Sequence, residues 1–236
     1  MLDQHDVLIP ELFINEGSIH SRMHAKKVDK LLGYKITKIE VKLNKKFRSY
    51  DQLHDSTNRK QHFKGAQTWI GLHPQVLQTP YCDIYHALNL IKDIDIKHVV
   101  DIGAGYGRVG IVLRAISSSI KFTGYEVVKE RQIEGNRIFE KFGLENASIE
   151  LRNVSDFGFY LPKAQVYFIY DFSDAEDICE ILLELAKKSL SFNFYLVTRG
   201  ERVDKLMKRQ FKHVWKRQTY LEYSDLSIYQ LNKYLR

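Results

Sequence analysis

The residues with the clearest chemical potential form a short acidic and glycine-rich run, in which Asp101 is followed by Gly103, Gly105 and Gly107. A glycine has no Cβ, so it accepts a positive φ and lets the backbone come close to a ligand. The run completes an apolar stretch, residues 97–102, that predicts a buried strand. Because open α/β sheets bind ligands at the carboxyl ends of their strands, the run predicts a ligand-binding loop.

More than one nucleotide cofactor is compatible with this loop. Gly105 to Gly110 also spells the GxGxxG fingerprint of dinucleotide-binding proteins, and Glu126 follows about 20 residues later. Glu126 ends a second predicted strand, where a carboxylate can accept hydrogen bonds from both hydroxyls of a ribose. In a dinucleotide fold the first glycine directly follows the apolar strand, whereas here Asp101 lies within it. A nicotinamide-dependent Rossmann oxidoreductase stays open as an alternative.

The pattern Asp-x-Gly-x-Gly-x-Gly closely resembles motif I of the class I, Rossmann-like, S-adenosylmethionine-dependent methyltransferases. In that family the acid orients the loop or meets the cationic methionine end of the cofactor, and the glycines pass under it. The resemblance implies S-adenosyl-L-methionine as the cofactor, bound by Asp101, Gly103, Gly105, Gly107 and Glu126.

The same resemblance assigns cofactor contacts to two further segments. After the third predicted strand, Asp156 would accept the adenine amino group and Phe157 would pack on the adenine ring. Before motif I, Thr79 and Tyr81 flank a proline, in a segment like those whose side chains approach the methionine moiety in several methyltransferase families. The alternatives are structural: a loop acid and a core aromatic for the first pair, and an N-cap threonine before a proline-started helix for the second.

The fourth predicted strand ends in Tyr170-Asp171-Phe172-Ser173, at the place of motif IV. We assign Asp171 and Tyr170 as catalytic, because Asp171 is placed to accept a hydrogen bond from a nucleophilic N–H or O–H. Methyl transfer is an in-line displacement, so positioning can supply most of the rate. The segment lacks the proline pair of base amino methylases and the cysteine of carbon-5 pyrimidine methylases. Alternatively, Asp171 caps the helix predicted to begin just after it.

The stretch from Thr79 to Val128 looks most like the non-SET protein-lysine methyltransferases, with similarity over residues 75–170. It implies a macromolecular acceptor, with protein lysine favoured slightly over RNA. The rival hypothesis from another functional class is a non-catalytic cofactor- or RNA-binding module.

Strands and helices alternate from residue 80 onward, which would bring these residues to one sheet edge. Such alternation predicts an α/β, Rossmann-like, seven-stranded and mostly parallel sheet with helices on both faces. The last two strands are separated by too little chain for a crossover, so they predict an antiparallel C-terminal hairpin, as in the seven-stranded methyltransferases. The predicted strands are 97–102, 121–126, 147–151, 165–170, 192–198, 211–218 and 226–232, and the predicted helices are 81–91, 107–116, 128–142, 175–188 and 202–209.

The first 78 residues are polar and basic, with a helix predicted over 19–32, a strand over 35–43 and a loop over 67–74. Residues 22–64 hold 13 Lys and Arg against 4 Asp and Glu, and such clusters favour polyanions or acidic protein surfaces. Tyr50, Phe63 and Trp69 are interleaved with this charge. We therefore divide the chain into an N-terminal basic appendage, 1–78, that faces a protein or RNA substrate, and a cofactor-binding domain, 79–236. The alternative is a solvated face.

Composition narrows the class of protein further. No stretch approaches the roughly 18 to 20 apolar residues of a membrane span, and the acidic N-terminus is unlike a signal peptide. Cys82 and Cys179 offer neither a disulfide framework nor metal-ligand spacing. We expect a cytoplasmic protein with no bound metal and no membrane partner, and the sequence leaves its oligomeric state open.

Overall fold

The computed structural model describes residues 8–17, 19–53, 69–91, 94–222 and 225–232. They form a seven-stranded sheet of order β3-β2-β1-β4-β5-β7-β6. Neighbouring strands from β3 to β5 are parallel, whereas β7 runs antiparallel to both β5 and β6. The predicted sheet and its C-terminal hairpin are therefore confirmed. The strands are β1 (His98–Ile102), β2 (Lys121–Glu126), β3 (Ala147–Leu151), β4 (Val166–Tyr170), β5 (Tyr195–Arg199), β6 (Trp215–Leu221) and β7 (Leu226–Leu231).

Helices cover both faces of the sheet, because successive residues of each strand point to opposite sides. On β1, Val99 packs into the core shared with α4, α5 and α6, whereas Val100 and Ile102 pack into the core shared with α7 and α8. The helices are α1 (Ser21–Leu32), α2 (Ile36–Leu53), α3 (Pro74–Leu77), α4 (Tyr81–Leu90), α5 (Arg108–Ile116), α6 (Lys129–Lys141), α7 (Ala175–Ser189) and α8 (Glu201–Arg209), with a short 3-10 helix at Pro10–Phe13. No helix within the described ranges is long and apolar enough to cross a membrane.

The strand predicted over residues 35–43 is wrong, because this segment belongs to α2. Its buried side chains are Ile36, Glu40 and Leu43, whereas Val41 is 50% exposed. Burial at positions i, i+4 and i+7 is the period of a helix rather than the alternation of a strand. Of the predicted loop at 67–74, residues 67 and 68 lie outside the described part of the chain, and Pro74 begins α3.

The N-terminal helices pack into the core of the sheet domain. Phe13, Val28 and Leu32 belong to the same cluster as the apolar residues of α4 and α5, and the ring of Phe13 stacks on Tyr81 with centroids 5.5 Å apart. The division of the chain at residue 78 stays a prediction. The described N-terminal residues nevertheless contribute to the fold that holds the cleft.

Candidate active site

A cleft lies at the carboxyl ends of β1, β2 and β4, with a volume of about 620 Å³ that includes open solvent. It adjoins a second cavity of about 490 Å³ below the same edge. Both are lined by Gln78, by Gly103 and Gly105 of the loop after β1, and by Tyr170 at the end of β4. The position is the one expected for a ligand site in an open α/β sheet.

The three predicted loop glycines, Gly103, Gly105 and Gly107, all have positive φ, at +80°, +57° and +78°. Gly107 is the N-cap of α5, and a Cβ there would lie 2.6 Å from the ring of Phe139. The N–H groups of Gly103 and the next residue donate to the carbonyl of Tyr125 at 3.0 and 2.9 Å, which ties the loop to β2. The loop has the predicted conformation, and its contact with a cofactor stays a prediction.

Two buried carboxylates, Asp101 and Glu126, lie at this glycine loop. Glu126 accepts hydrogen bonds from the backbone N–H of Gly105 at 2.8 Å and from those of Val127 and Val128 at 3.0 and 2.8 Å. Asp101 lines the second cavity. Burial, and to a smaller extent the Glu126 carboxylate, raises the pKa of Asp101 from 3.8 to about 7. The paired acids therefore favour a proton or another cation at this point.

A buried cluster around Asp29 of α1 binds Arg108, the residue that directly follows the glycine loop. The Asp29 carboxylate accepts hydrogen bonds from Tyr81 Oη at 2.9 Å, from Gln75 Nε2 at 2.8 Å, and from Arg108 Nη2 at 2.5 Å. Tyr81, predicted to contact the cofactor, is fully buried in this cluster, where its hydroxyl is bound to Asp29; its contact with a cofactor stays a prediction. Thr79, by contrast, lines the second cavity, and its carbonyl accepts from Arg108.

A second buried acid, Glu40 of α2, holds the loop in the same way. Its carboxylate accepts from Tyr106 Oη at 2.7 Å and from Arg131 Nε at 2.8 Å, and both of these partners line the first cleft. Sequence reasoning missed Glu40 and Asp29, together with their arginine partners. The sequence does contain a signal for the two acids. They are the only acids in residues 22–46, and each lies three or four residues from buried apolar residues of its helix, on the same face.

Asp171 and Tyr170, the predicted catalytic pair, lie at the end of β4 with their polar atoms engaged. The Asp171 carboxylate accepts from the backbone N–H of Arg202 and of Val203, both at 3.0 Å, and so caps α8. A Cβ on Gly200, the N-cap of α8, would lie 2.6 Å from Asp171 Oδ2, and its φ of +116° also demands glycine. The Tyr170 hydroxyl donates to the carbonyl of residue 76 at 3.0 Å. A catalytic role for either residue stays a prediction.

Asp171 does cap a helix, as the alternative interpretation proposed, but the helix is α8 and not α7, the one that follows it in the chain. The helix that follows it in the chain, α7, is capped by Asp174, whose side chain accepts from the N–H groups of Glu176 and Asp177. Asp171 instead caps a helix that begins about 30 residues later in the chain.

Asp156 and Phe157 do not line the cleft. Phe157 is fully exposed, and the Asp156 carboxylate is exposed and accepts from Asn153 Nδ2 at 3.0 Å. Instead, the residues that follow β3 and line the cleft are Arg152, Asn153 and Val154. Asp156 and Phe157 thus lie outside the lining of the cleft, and their contact with adenine stays a prediction.

Two aromatic rings that line the cleft, Trp69 and Tyr170, each lie against an arginine. The indole of Trp69 donates to the carbonyl of Asp171 at 2.5 Å, and the Arg202 guanidinium lies 4.7 Å from the centre of the Trp69 rings. Arg199 lies 5.0 Å from the centre of the Tyr170 ring. Of the other aromatics interleaved with the basic cluster, Phe63 and the side chain of Tyr50 lie outside the described part. No group of three or more His, Cys, Asp or Glu within the described ranges could hold a metal ion.

Comparison with known proteins finds resemblance only at the level of structure. No protein-family model matches the chain, and no curated protein sequence matches it significantly. A SAM-dependent O-methyltransferase from Thermotoga maritima is similar over 64% of this chain, with 17% identity and a TM-score of 0.49. An O-methyltransferase from neocarzinostatin biosynthesis, in complex with S-adenosylmethionine, is similar over 64%, with 17% identity and a TM-score of 0.47.

The match spans 64% and 55% of the lengths of these two proteins. A putative RNA methyltransferase from Pyrococcus horikoshii is similar over 72% of this chain and 91% of its own length, with 16% identity and a TM-score of 0.46. At these identities and TM-scores the similarity carries no argument about function.

Proposed function

We propose that this chain is an S-adenosylmethionine-dependent methyltransferase. The observation that carries the proposal is the buried pair of carboxylates, Asp101 and Glu126, beside a glycine loop at the sheet edge. The methionine end of the proposed cofactor carries an ammonium and a sulfonium. Burial raises the pKa of Asp101 and so disfavours its ionised form, and a cation bound beside it would favour that form again.

Asp101 disfavours a nicotinamide dinucleotide, whereas Glu126 fits either cofactor. Such a cofactor places the two negative charges of its pyrophosphate over the glycine loop, at the start of the following helix. Here that charge would lie close to the buried carboxylate of Asp101. The strand order also differs from the 3-2-1-4-5-6 order of dinucleotide-binding folds, because β7 is inserted antiparallel between β5 and β6.

The residues at hand fit the proposed cofactor. Asp101 would face its cationic end, the loop of Gly103 and Gly105 would pass beneath it, and Glu126 retains acceptor capacity toward ribose hydroxyls beyond the N–H groups it already binds. When bound, the cofactor supplies a methyl group whose carbon–sulfur bond breaks as a bond to the acceptor atom forms, leaving a neutral thioether.

For the acceptor we infer a macromolecule, with RNA favoured over a protein lysine. Arg199, which lines the second cavity, and Arg202 lie against the rings of Tyr170 and Trp69, and such cations favour a phosphate over a lysine ammonium. Stacked aromatics and arginines are also a common platform for unpaired bases. Exposed lysines of α1 and α2 extend the positive charge: Lys26, Lys27, Lys30, Lys38 and Lys42.

Calorimetric titration with S-adenosylmethionine and with NAD tests the cofactor. We expect the wild type to bind the first and not the second, and Asp101→Asn to weaken binding. Asp95→Asn, an exposed aspartate outside the cleft, is the matched control and should change nothing. A wild type that binds NAD alone, or an Asp101→Asn variant that binds as well as the wild type, would contradict the proposal.

Incubation with methyl-labelled cofactor and total cell extract tests the acceptor. Label in RNase-sensitive material supports RNA, and label in protease-sensitive material overturns that choice in favour of protein. Cofactor binding without label in either fraction would favour the non-catalytic module.

A further inference from the structure

Gln78 carries a buried side-chain amide that has no partner among the described residues. The residue is 6% exposed, and neither its Nε2 nor its Oε1 makes a hydrogen bond there. Because both atoms are unpartnered, the observation does not depend on which of them is nitrogen. A buried amide without partners is costly, so a ligand that supplies a donor and an acceptor there would be favoured.

Gln75, three residues earlier, shows that this segment can satisfy a buried glutamine. It is 7% exposed, yet its Nε2 donates to Asp29 and its Oε1 accepts from Arg108 Nη2 at 2.9 Å. Gln75 lies within α3 and Gln78 is its C-cap, and the two side chains differ in what they face. Gln75 faces the buried cluster, whereas Gln78 lines the cleft.

Gln78 lies where the two cavities of the site meet. It lines the cleft that contains Glu126 and also the cavity that contains Asp101. Its Cγ is close to the glycine loop, 3.8 Å from the position that a Cβ on Gly105 would occupy. The amide is therefore presented to a ligand that spans from the ribose-binding side to the acidic cavity.

We propose that the Gln78 amide binds the amino-acid end of the cofactor. This inference rests on the proposed function, since that end carries a carboxylate and an ammonium. An amide offers both an N–H donor for the former and a carbonyl acceptor for the latter. Gln78 is thus a cofactor-specificity residue that distinguishes an S-adenosyl amino acid from an adenosyl thioether without the amino-acid group.

Calorimetry with two ligands tests this assignment. S-adenosylhomocysteine has the amino-acid end, and 5′-methylthioadenosine has the same adenosyl group without it. Gln78→Met keeps the length of the side chain and removes the amide. We expect it to weaken S-adenosylhomocysteine by roughly 10- to 100-fold, the range of a hydrogen bond to a charged group, and to leave 5′-methylthioadenosine within about twofold, since that ligand has no group for the amide to bind.

Gln75→Met is the matched control, since it places the same substitution in the buried cluster. It should lower the melting temperature while preserving the ratio of the two affinities. Gln78→Met should melt no lower than wild type, because it buries no new polar group, and Gln78→Leu serves as a second variant for the same titration. Equal weakening of both ligands, or no change in either, overturns the assignment. Failure of the proposed function has a different signature, since the wild type itself would then bind neither ligand.

Discussion

Replacing Asp29 by asparagine would remove the negative charge that pairs with the buried guanidinium of Arg108. The side chains of this pair are 8% and 3% exposed. Although burial alone would lower it, the Asp29 carboxylate raises the pKa of Arg108, so the arginine stays charged in the fold. Asparagine keeps an oxygen for Tyr81 or Gln75 but leaves this charge uncompensated.

Removing one partner of a buried ion pair costs about 3 to 5 kcal/mol, out of a total free energy of unfolding of about 5 to 15 kcal/mol. For a chain of this length each kcal/mol shifts the melting temperature by about 2 to 4 °C. We therefore expect Asp29→Asn to lower the melting temperature by roughly 6 to 20 °C.

Denaturant and thermal unfolding measure this effect. The matched control is Asp95→Asn, which breaks an exposed pair with Lys97, of 78% and 75% exposure, and should change the free energy of unfolding by less than about 0.5 kcal/mol. The double variant Asp29→Leu with Arg108→Met should recover only part of the loss, since it leaves no buried charge but deprives Tyr81 Oη and the Gln75 amide of their partners. If Asp29→Asn costs no more than the surface control, the reasoning about the cluster is wrong.

Three further outcomes follow from the site. Because the raised pKa of Asp101, about 7, lies above the 3.8 of an unfolded aspartate, the free energy of unfolding should fall as the pH rises from about 4 to 7; Asp101→Asn should remove that part of the slope in denaturant titrations, and an unchanged slope would contradict it. Asp171→Ala should lower the free energy of unfolding by about 0.5 to 2 kcal/mol through loss of the α8 cap, whereas loss of methyl transfer at unchanged stability would support the catalytic assignment instead. Lys38→Glu combined with Lys42→Glu should weaken RNA binding and reduce its salt slope by about 1 for each lysine that binds a phosphate in the wild type, while Lys97→Glu, at the opposite end of β1, should leave the binding curve unchanged.

Much of the sheet was predictable because its strands and helices differ in period. The bounds of β2 and β3 agree with the prediction at both ends, since each strand is short; β3 is followed by the polar residues 152 and 153, and β2 by a helix that begins three residues after its end. Helix α2 was mistaken for a strand because Ile39, Val41 and Leu43 alternate locally. The buried acid at position 40 completes the helical period, and an acid is not ordinarily counted as a core residue.

The glycine loop was predictable because its conformation follows from local residue types, whereas the fate of Asp171 was not. A carboxylate beside a predicted helix start suggests a cap for that helix. Asp171 caps α8 instead, because β4 and β5 pair side by side and the residues that follow the two strands are therefore neighbours. Tyr81 presents the same difficulty: its hydroxyl is used by Asp29, 52 residues earlier in the chain. Such pairings are tertiary, so no local pattern contains them.

The glycine loop is held in place both by its own residues and by residues that are distant in the chain. Gly103, Gly105 and Gly107 permit its shape, but two side chains at or just after the loop, Tyr106 and Arg108, fix where it lies. Their partners are Glu40 and Asp29, in the N-terminal helices. A buried ion pair adds little net stability over apolar packing of the same volume, but its hydrogen bonds define one orientation, which apolar packing does not. The N-terminal helices therefore have a role beyond covering the core: they set the position of the loop, and a chain without them would lack the anchors on which the geometry of the cleft depends.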